Sequence, residues 1–374
     1  MADTRVERPL AVLLVGASGV FGSRLAELAV SEPGVALTLA GRTESSLDAL
    51  AARIGGGAVR LIDRDLATAK DLAGYDLVID TAGPFQQSHC RLIEAAIVAG
   101  VDYLDLADGR TFVGEIGRFD ASARAAGVSV ITGASSIPAL SHAVIDSLVS
   151  DLDTIDSLWI GIFPGNRAPR GLAVVRAILS YAGQTVRVFR DGEWREDRGW
   201  GRLRRDATSV GQRWASVCDT PEQDLLVERY QPKHSAEFFA GMELSILHLG
   251  LWLLCWPVRW GWLRSLEPFA APLFLIAQWL RPFGSDRGAM TVRVEGHAHD
   301  GTFIRRHWTL AADANRGPYV PIMATLAMIK RRAAAPGQPG ARACAGLLAL
   351  TDFSELFERM GIVTHTSEHR HSER

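Results

Sequence analysis

Residues 12–22 read VLLVGASGVFG, a short apolar strand running straight into a turn that carries Gly16, Gly19 and Gly22. A strand, a glycine turn and a helix start within eleven residues form the opening unit of a parallel sheet with an anion site at its edge. Gly16 lets the chain turn tightly, Gly19 lets backbone approach a pyrophosphate, and Gly22 lets the new helix pack on its strand. The helix N-terminus then offers unpaired N–H groups to phosphate oxygens. The spacing is GxxGxxG rather than the stricter GxGxxG, so the surrounding sequence has to decide.

The next turn supplies that context. VALTLA (35–40) reads as a second strand and ends in Gly41-Arg42-Thr43, with Ser45 and Ser46 close behind. Sites for NAD usually place a carboxylate here to hold the ribose 2′-hydroxyl. A guanidinium at this tip instead pairs with a 2′-phosphate, which a carboxylate would repel. Arg42 and Thr43 therefore predict NADP as the cofactor.

Strand patterns at 11–15, 35–40, 58–62, 77–80, 101–106 and 128–131 alternate with helical patterns at 20–30, 44–53, 86–99 and 113–126. That alternation predicts an α/β fold whose first domain, 1–150, is a doubly wound parallel Rossmann sheet. After residue 150 the rhythm changes. Segments 157–163, 185–190, 212–217 and 235–240 read as strands, and 290–311 as a hairpin turning at Asp300-Gly301. Residues 151–317 are thus expected to form a second, mixed α/β domain built on antiparallel strands, for substrate binding or dimerisation. Residues 318–364 are expected to pack back on the first domain, and the polar tail 365–374 to be disordered.

The stretch 243–283 stands apart. Residues 244–258 and 268–280 carry no Asp, Glu, Lys or Arg, and Trp252, Trp256, Trp260, Trp262 and Trp279 fall between 244 and 280. Each run is shorter than the ~20 residues needed to span a bilayer. Three readings remain: a buried helical hairpin or homodimer interface, a peripheral membrane contact through 244–280, and the wall of a pocket for a hydrophobic or lipid-like substrate.

Several ordered motifs together resemble the saccharopine dehydrogenase-like NADP-binding domain: VGASGVFGSRLAE, LAGRTESSL, DLVIDTAGPFQ, CRLIEAAIVAGVDYLDLADG and SARAAGVSVITGASSIPALS. The likeness covers 11–145, and the family includes lipid-acting members described as trans-acting enoyl reductases. The resemblance implies an NADP-dependent oxidoreductase. It places Gly16, Ser18, Gly19, Val20, Phe21 and Gly22 on the pyrophosphate, and Arg42 and Thr43 on the 2′-phosphate. It further places Asp65 and Leu66 near the adenine, and Ala82, Gly83, Pro84 and Phe85 near the nicotinamide-side ribose. Pro84 can equally stop a strand, and Phe85 can equally be core. The family's YxDLxGE pattern stands here as Tyr103, Asp105 and Asp108 in YLDLADG, with Asp for Glu and altered spacing.

Hydride transfer needs geometry above all, and a proton donor where a carbonyl or imine is reduced. His89, Tyr103, Asp105 and His142 lie near strand ends and are the candidates, with loop anchoring or an Arg110 contact as the other role for Asp105. With only Lys70, Lys233 and Lys330 the chain has no YxxxK pair, and GASSI is not the GxSxG of a hydrolase. A hairpin turning at Asp300-Gly301 would pair His307 with Val294 and separate it from His297 and His299, so no metal is expected. The net charge of −2 gives no case for nucleic acid. Four scattered cysteines and a short charged N-terminus lead us to expect a cytoplasmic protein, with membrane association as the variant that the tryptophans raise. A non-catalytic NADP sensor or a membrane-associated binding protein is the alternative to an enzyme.

Overall fold

A computed structural model describes residues 8–371, Gln87 excepted. The first strand, β1 (Leu10–Val15), is apolar on both faces because both faces are covered. Val12 and Leu14 point into one core, Leu13 and Val15 into the other, and all four are essentially inaccessible. Helix α1 (Val20–Ala29) and β2 (Val35–Gly41) follow, then α2 (Glu44–Ile54), β3 (Ala58–Leu61), the single turn α3 (Ala69–Leu72) and β4 (Leu77–Asp80). Next come α4 (Arg91–Ala99), β5 (Asp102–Asp105), α5 (Arg110–Gly114), α6 (Asp120–Ala126), β6 (Ser129–Thr132) and α7 (Ser141–Val149).

The helix expected over 113–126 is broken into α5, a short 3-10 turn and α6. Gly114 and Gly117 lie at the breaks, where the backbone entropy of glycine weakens a continuous helix. The helix expected from 86 starts only at Arg91, because the chain before it is held in the loop after β4.

The second domain opens with β7 (Thr154–Phe163) and α8 (Leu172–Tyr181). It continues through β8 (Thr185–Arg190), β9 (Glu193–Arg198), β10 (Arg204–Thr208), β11 (Gly211–Val217), α9 (Glu222–Tyr230) and β12 (Ser235–Ala240). The apolar stretch forms α10 (Ser245–Leu254), α11 (Trp256–Arg259) and α12 (Ala270–Trp279). Strands β13 (Gly288–His297) and β14 (Phe303–Ala312) make the hairpin. The chain ends in α13 (Val320–Ala334), β15 (Gly340–Ala343), α14 (Ser354–Arg359) and β16 (Val363–His371).

The first sheet is wholly parallel, in the order β15-β6-β5-β4-β1-β2-β3, and its seventh strand comes from the C-terminal segment. Helix α13 packs on α1, burying Ile322, Met323, Leu326 and Ile329 completely. Side chains of this size contribute roughly 1.5–3 kcal/mol each when fully buried. The second sheet has nine strands and is mixed: β12 and β7 run parallel, and the remaining pairs antiparallel.

Three expectations need correction. The 365–374 tail is not disordered up to His371: β16 pairs antiparallel with β14 along its whole length. An unpaired sheet edge offers N–H and C=O groups to any chain that reaches it, and a polar sequence suits an exposed edge strand. Residues 372–374 lie outside the described residues. The hairpin is offset by one residue, because the Gly301 N–H closes onto the Ala298 carbonyl at 2.9 Å. His307 therefore faces Arg293, not Val294, and shares a face with His297. The two are still about 13 Å apart at the rise of a strand, and His297 is paired with Asp156 at 3.0 Å. Finally, the tryptophan-rich stretch is buried on one face only: Leu251, Cys255 and Val258 are buried, whereas Trp262 is 74% exposed and Trp279 77%.

Candidate functional site

The carboxyl ends of the parallel strands meet the second domain, and the turn after β1 lies there. Gly16 has φ +78, and a Cβ on it would stand 2.8 Å from the Ala82 nitrogen at the end of β4. A Cβ on Gly22 would press into the Gly16 carbonyl oxygen and the Thr81 hydroxyl. These two glycines hold helix and strands in contact. Gly19 is different: it is exposed, its φ of −71 suits any residue, and a Cβ would meet only the Gly16 oxygen at 3.1 Å. It is the N-cap of α1 and makes no side-chain cap, so the first N–H groups of the helix stay open beside exposed Ser18 and half-buried Val20 and Phe21. An open helix N-terminus behind a glycine with free space in front fits a pyrophosphate.

Arg42 and Thr43 stand at the end of β2. Both are exposed, Arg42 makes no salt bridge or side-chain hydrogen bond among the described residues, and Thr43 caps α2 without using its hydroxyl. Asp65 and Leu66 are also exposed, after β3. After β4, Ala82, Gly83 and Pro84 remain accessible, whereas Phe85 is buried against Ala107 and Val113 and serves as core.

Arg64 was not anticipated. Its guanidinium hydrogen-bonds the Ala82 carbonyl and the Ser88 hydroxyl, lies 3.4 Å from Asp80 Oδ2, and covers the Phe85 ring at 5.0 Å. It ties the loop after β3 to the loop after β4. Burial raises the pKa of Asp80 above the ordinary aspartate value, against the opposing pull of Arg64 and the Ala82 N–H. The charged run Asp63-Arg64-Asp65 was the available signal, but nothing local in it points to Asp80.

Of the catalytic candidates His89 is exposed and the other three are internal. Tyr103 is 2% exposed, and Asp105 and His142 are fully buried. Asp105 Oδ1 accepts from the N–H groups of Ala107 and Gly133 and from the Thr132 hydroxyl, all at 2.8–2.9 Å, so it joins the ends of β5 and β6. Burial nonetheless lifts its pKa to about 6. Burial also puts the Tyr103 pKa well above its usual value, helped by Asp105 and Asp80. His142 Nε2 lies 3.1 Å from Glu222, whose other oxygen accepts from Ser141, and His142 Nδ1 lies 3.3 Å from the Tyr230 hydroxyl. That network pins α7 to α9.

Asp108 occupies a different position. It is open to solvent just beyond β5, accepts a hydrogen bond from Gln86 Nε2 at 3.3 Å, and is enclosed enough for desolvation to raise its pKa. Across from it, Tyr181 at the end of α8 has its pKa pushed well up by burial, with Cys218, Asp108 and Asp219 adding to the rise. The other end of α8 touches the glycine turn, where a Cβ on Gly171 would lie 3.9 Å from Val20 Cγ2. Helix α8 therefore begins beside the start of α1. Arg110, expected as a partner of Asp105, instead ties the segment after β5 to the second domain. It grips Asp224 through two bonds of 2.5 and 2.6 Å, Asp219 at 3.0 Å and the Arg187 carbonyl at 2.8 Å. A groove of about 550 Å³, lined by Asp102, Ser129, Arg331 and Arg342, lies at the amino ends of β5 and β6, away from the glycine turn. Among the described residues no group of three or more His, Cys, Asp or Glu side chains could hold a metal ion.

Residues 12–136 match the family described as saccharopine dehydrogenase NADP binding domain. A carboxyaminopropylagmatine dehydrogenase of Synechocystis sp. is 36% identical over 103 residues, which are 26% of this chain and only 25% of that protein. The solved apo saccharopine dehydrogenase (L-Glu forming) of Saccharomyces cerevisiae superposes with a TM-score of 0.68 over 97% of this chain and 100% of that one, at 14% identity, and so shares the fold. By sequence, residues 12–136 are similar to the saccharopine dehydrogenase NADP binding domain, and the chain shares the fold of the solved yeast enzyme.

Proposed function

We propose that the chain is an NADP-dependent oxidoreductase that moves hydride to or from a hydrophobic or lipid-linked substrate held in the cleft between its two domains. The observation that carries the reading is that the open α1 N-terminus, the exposed Arg42 and the exposed Asp108 all follow carboxyl ends of strands in one parallel sheet, after β1, β2 and β5. When bound, NADP(H) supplies or accepts the hydride. The chain's own work is to hold the phosphates at α1 and Arg42, to exclude water with α8, and to keep a proton at the Asp108 carboxyl beside Tyr181. A raised carboxyl pKa suits that last role.

An apolar substrate is supported by two features. Arg110 has its N–H groups committed to Asp224, Asp219 and a backbone carbonyl, so it is not free to pair with a substrate carboxylate. The far face of α8 rests on α12, in the tryptophan-rich stretch whose exposed surface supports a peripheral membrane contact. The alternative, a non-catalytic NADP sensor, draws support from the burial of Tyr103, Asp105 and His142.

A turnover assay separates the two readings. NADPH consumption is followed with carbonyl, imine and enoyl acceptors bearing long alkyl chains. With an active acceptor, Asp108→Asn is expected to lower kcat about 100-fold while leaving the NADPH affinity unchanged. Unaltered kcat would remove Asp108 from the mechanism. NADPH binding without turnover of any acceptor would favour the sensor.

A further inference from the structure

Eleven of the sixteen large hydrophobic side chains exposed among the described residues lie between Ile246 and Phe283. Soluble surfaces rarely gather apolar area in this way without a partner. The inner face of this region is satisfied: His248, Leu251, Cys255 and Val258, at helical spacing, are buried against the body of the second domain. The outer face is as apolar as the inner one and, among the described residues, has nothing over it. Phe283 is 76% exposed, much like Trp262 and Trp279.

The aromatic side chains are organised. Trp252, Trp256, Trp260 and Trp262 form a continuous series of tilted and edge-on rings with centroids 4.9–5.5 Å apart. Arg259 covers Trp252 and Trp256 at 5.7 and 5.3 Å and donates to the Trp200 carbonyl, which fixes the series to the domain. Tryptophan on an apolar helix beside arginine is the composition that settles at the boundary between headgroups and acyl chains. Among the described residues no helix is long and apolar enough to cross a membrane, and α10 and α12 have ten residues each. Such helices lie on a bilayer.

Charge selects the occupant. Residues 244–283 contain Arg259, Arg264 and Arg281 but a single acid, Glu267, in a chain of net charge −2. Arg264 and Arg281 are exposed. A two-fold dimer through this face would set two copies of the same positively charged patch against each other. A surface of anionic headgroups neutralises them instead.

We propose that α10–α12 form a docking platform that seats its tryptophans and Phe283 in the headgroup layer of a bilayer containing anionic phospholipid. The platform packs through α12 on α8, whose N-cap Gly171 lies beside Val20 at the start of α1. A substrate leaving the bilayer would have one helix to pass. This delivery role rests on the proposed oxidoreductase reading; the docking itself does not.

The test uses the full chain and sedimentation with sucrose-loaded vesicles, either pure phosphatidylcholine or with about one-third phosphatidylglycerol. The chain is expected to co-sediment, and more strongly with the anionic vesicles. Trp262→Ser, Trp279→Ser and Phe283→Ser combined should weaken this about tenfold or more with NADPH binding intact. Arg264→Glu with Arg281→Glu should abolish the preference for phosphatidylglycerol. A chain that stays in the supernatant with both vesicle types overturns the proposal. So does a wild-type dimer that the triple serine variant converts to a monomer without any vesicle binding. NADPH titration of the same samples reports on the cofactor reading separately.

Discussion

Gly19→Val is expected to leave a folded protein that no longer binds NADPH or NADH, with both affinities down at least about 100-fold. The two halves of that expectation come from different observations. The backbone at Gly19 is extended rather than left-handed, and the position is exposed, with one contact limit at the Gly16 oxygen. A valine there strains little in the free protein. Its branched side chain would, however, fill the space through which phosphate oxygens reach the first turn of α1. Gly22→Ala is the contrasting control, because even a methyl group presses on the Gly16 carbonyl and should destabilise the fold itself. Thermal unfolding and cofactor fluorescence on both variants separate the effects. A Gly19→Val protein that retains either dinucleotide would remove the pyrophosphate from the α1 N-terminus.

Arg64→Met should cost about 3–5 kcal/mol of stability near neutral pH, because it strands the carboxylate of Asp80, which is only 1% exposed. The cost should depend on pH, with a definite sign. The folded-state pKa of Asp80 already lies above the ordinary aspartate value because of burial. The folded protein therefore binds this proton more readily than the unfolded chain does, and stability falls as pH rises toward the folded pKa. Losing Arg64 removes the main charge holding that pKa down, so the decline should extend to higher pH. The gap in Tm between Arg64→Met and wild type should then narrow on acidification, and Asp80→Asn in the Arg64→Met background should recover part of the loss. A gap that does not change with pH would show that Arg64 acts through packing on Phe85 rather than through charge. The loops after β3 and β4 should also loosen, since the contacts to Ala82 and Ser88 vanish with the guanidinium.

How much of this was legible in the sequence depends on how local each cause is. The alternation of the first domain could be read from periodicity, and β1, β2 and β4 lie where their apolar runs end. The glycine turn and Arg42 were readable because a short segment dictates where they stand. Arg64 was not, because its partner Asp80 and its contact Ala82 are brought near only when β3 and β4 join the same sheet. Asp105, Tyr103 and His142 carry reactive groups, but their burial depends on neighbours such as Gly133 and Glu222, far along the chain. Tyr181 and Asp219 reach the cleft only through the packing of the second domain. The hairpin slipped by one residue because the turn closes at Ala298 rather than symmetrically about Asp300-Gly301. The tryptophan-rich stretch left three readings open, since composition does not say which apolar face will find a partner.

The central claim, that this fold binds NADP by its 2′-phosphate at the tip of β2, is tested most directly by calorimetric titration of wild type and Arg42→Ala with NADPH and NADH. Wild type should prefer NADPH. Arg42→Ala should lose about 10- to 100-fold in NADPH affinity, the worth of one charge-assisted contact, and should bind NADH nearly as before. An equal loss for both dinucleotides, or none for either, would contradict the account.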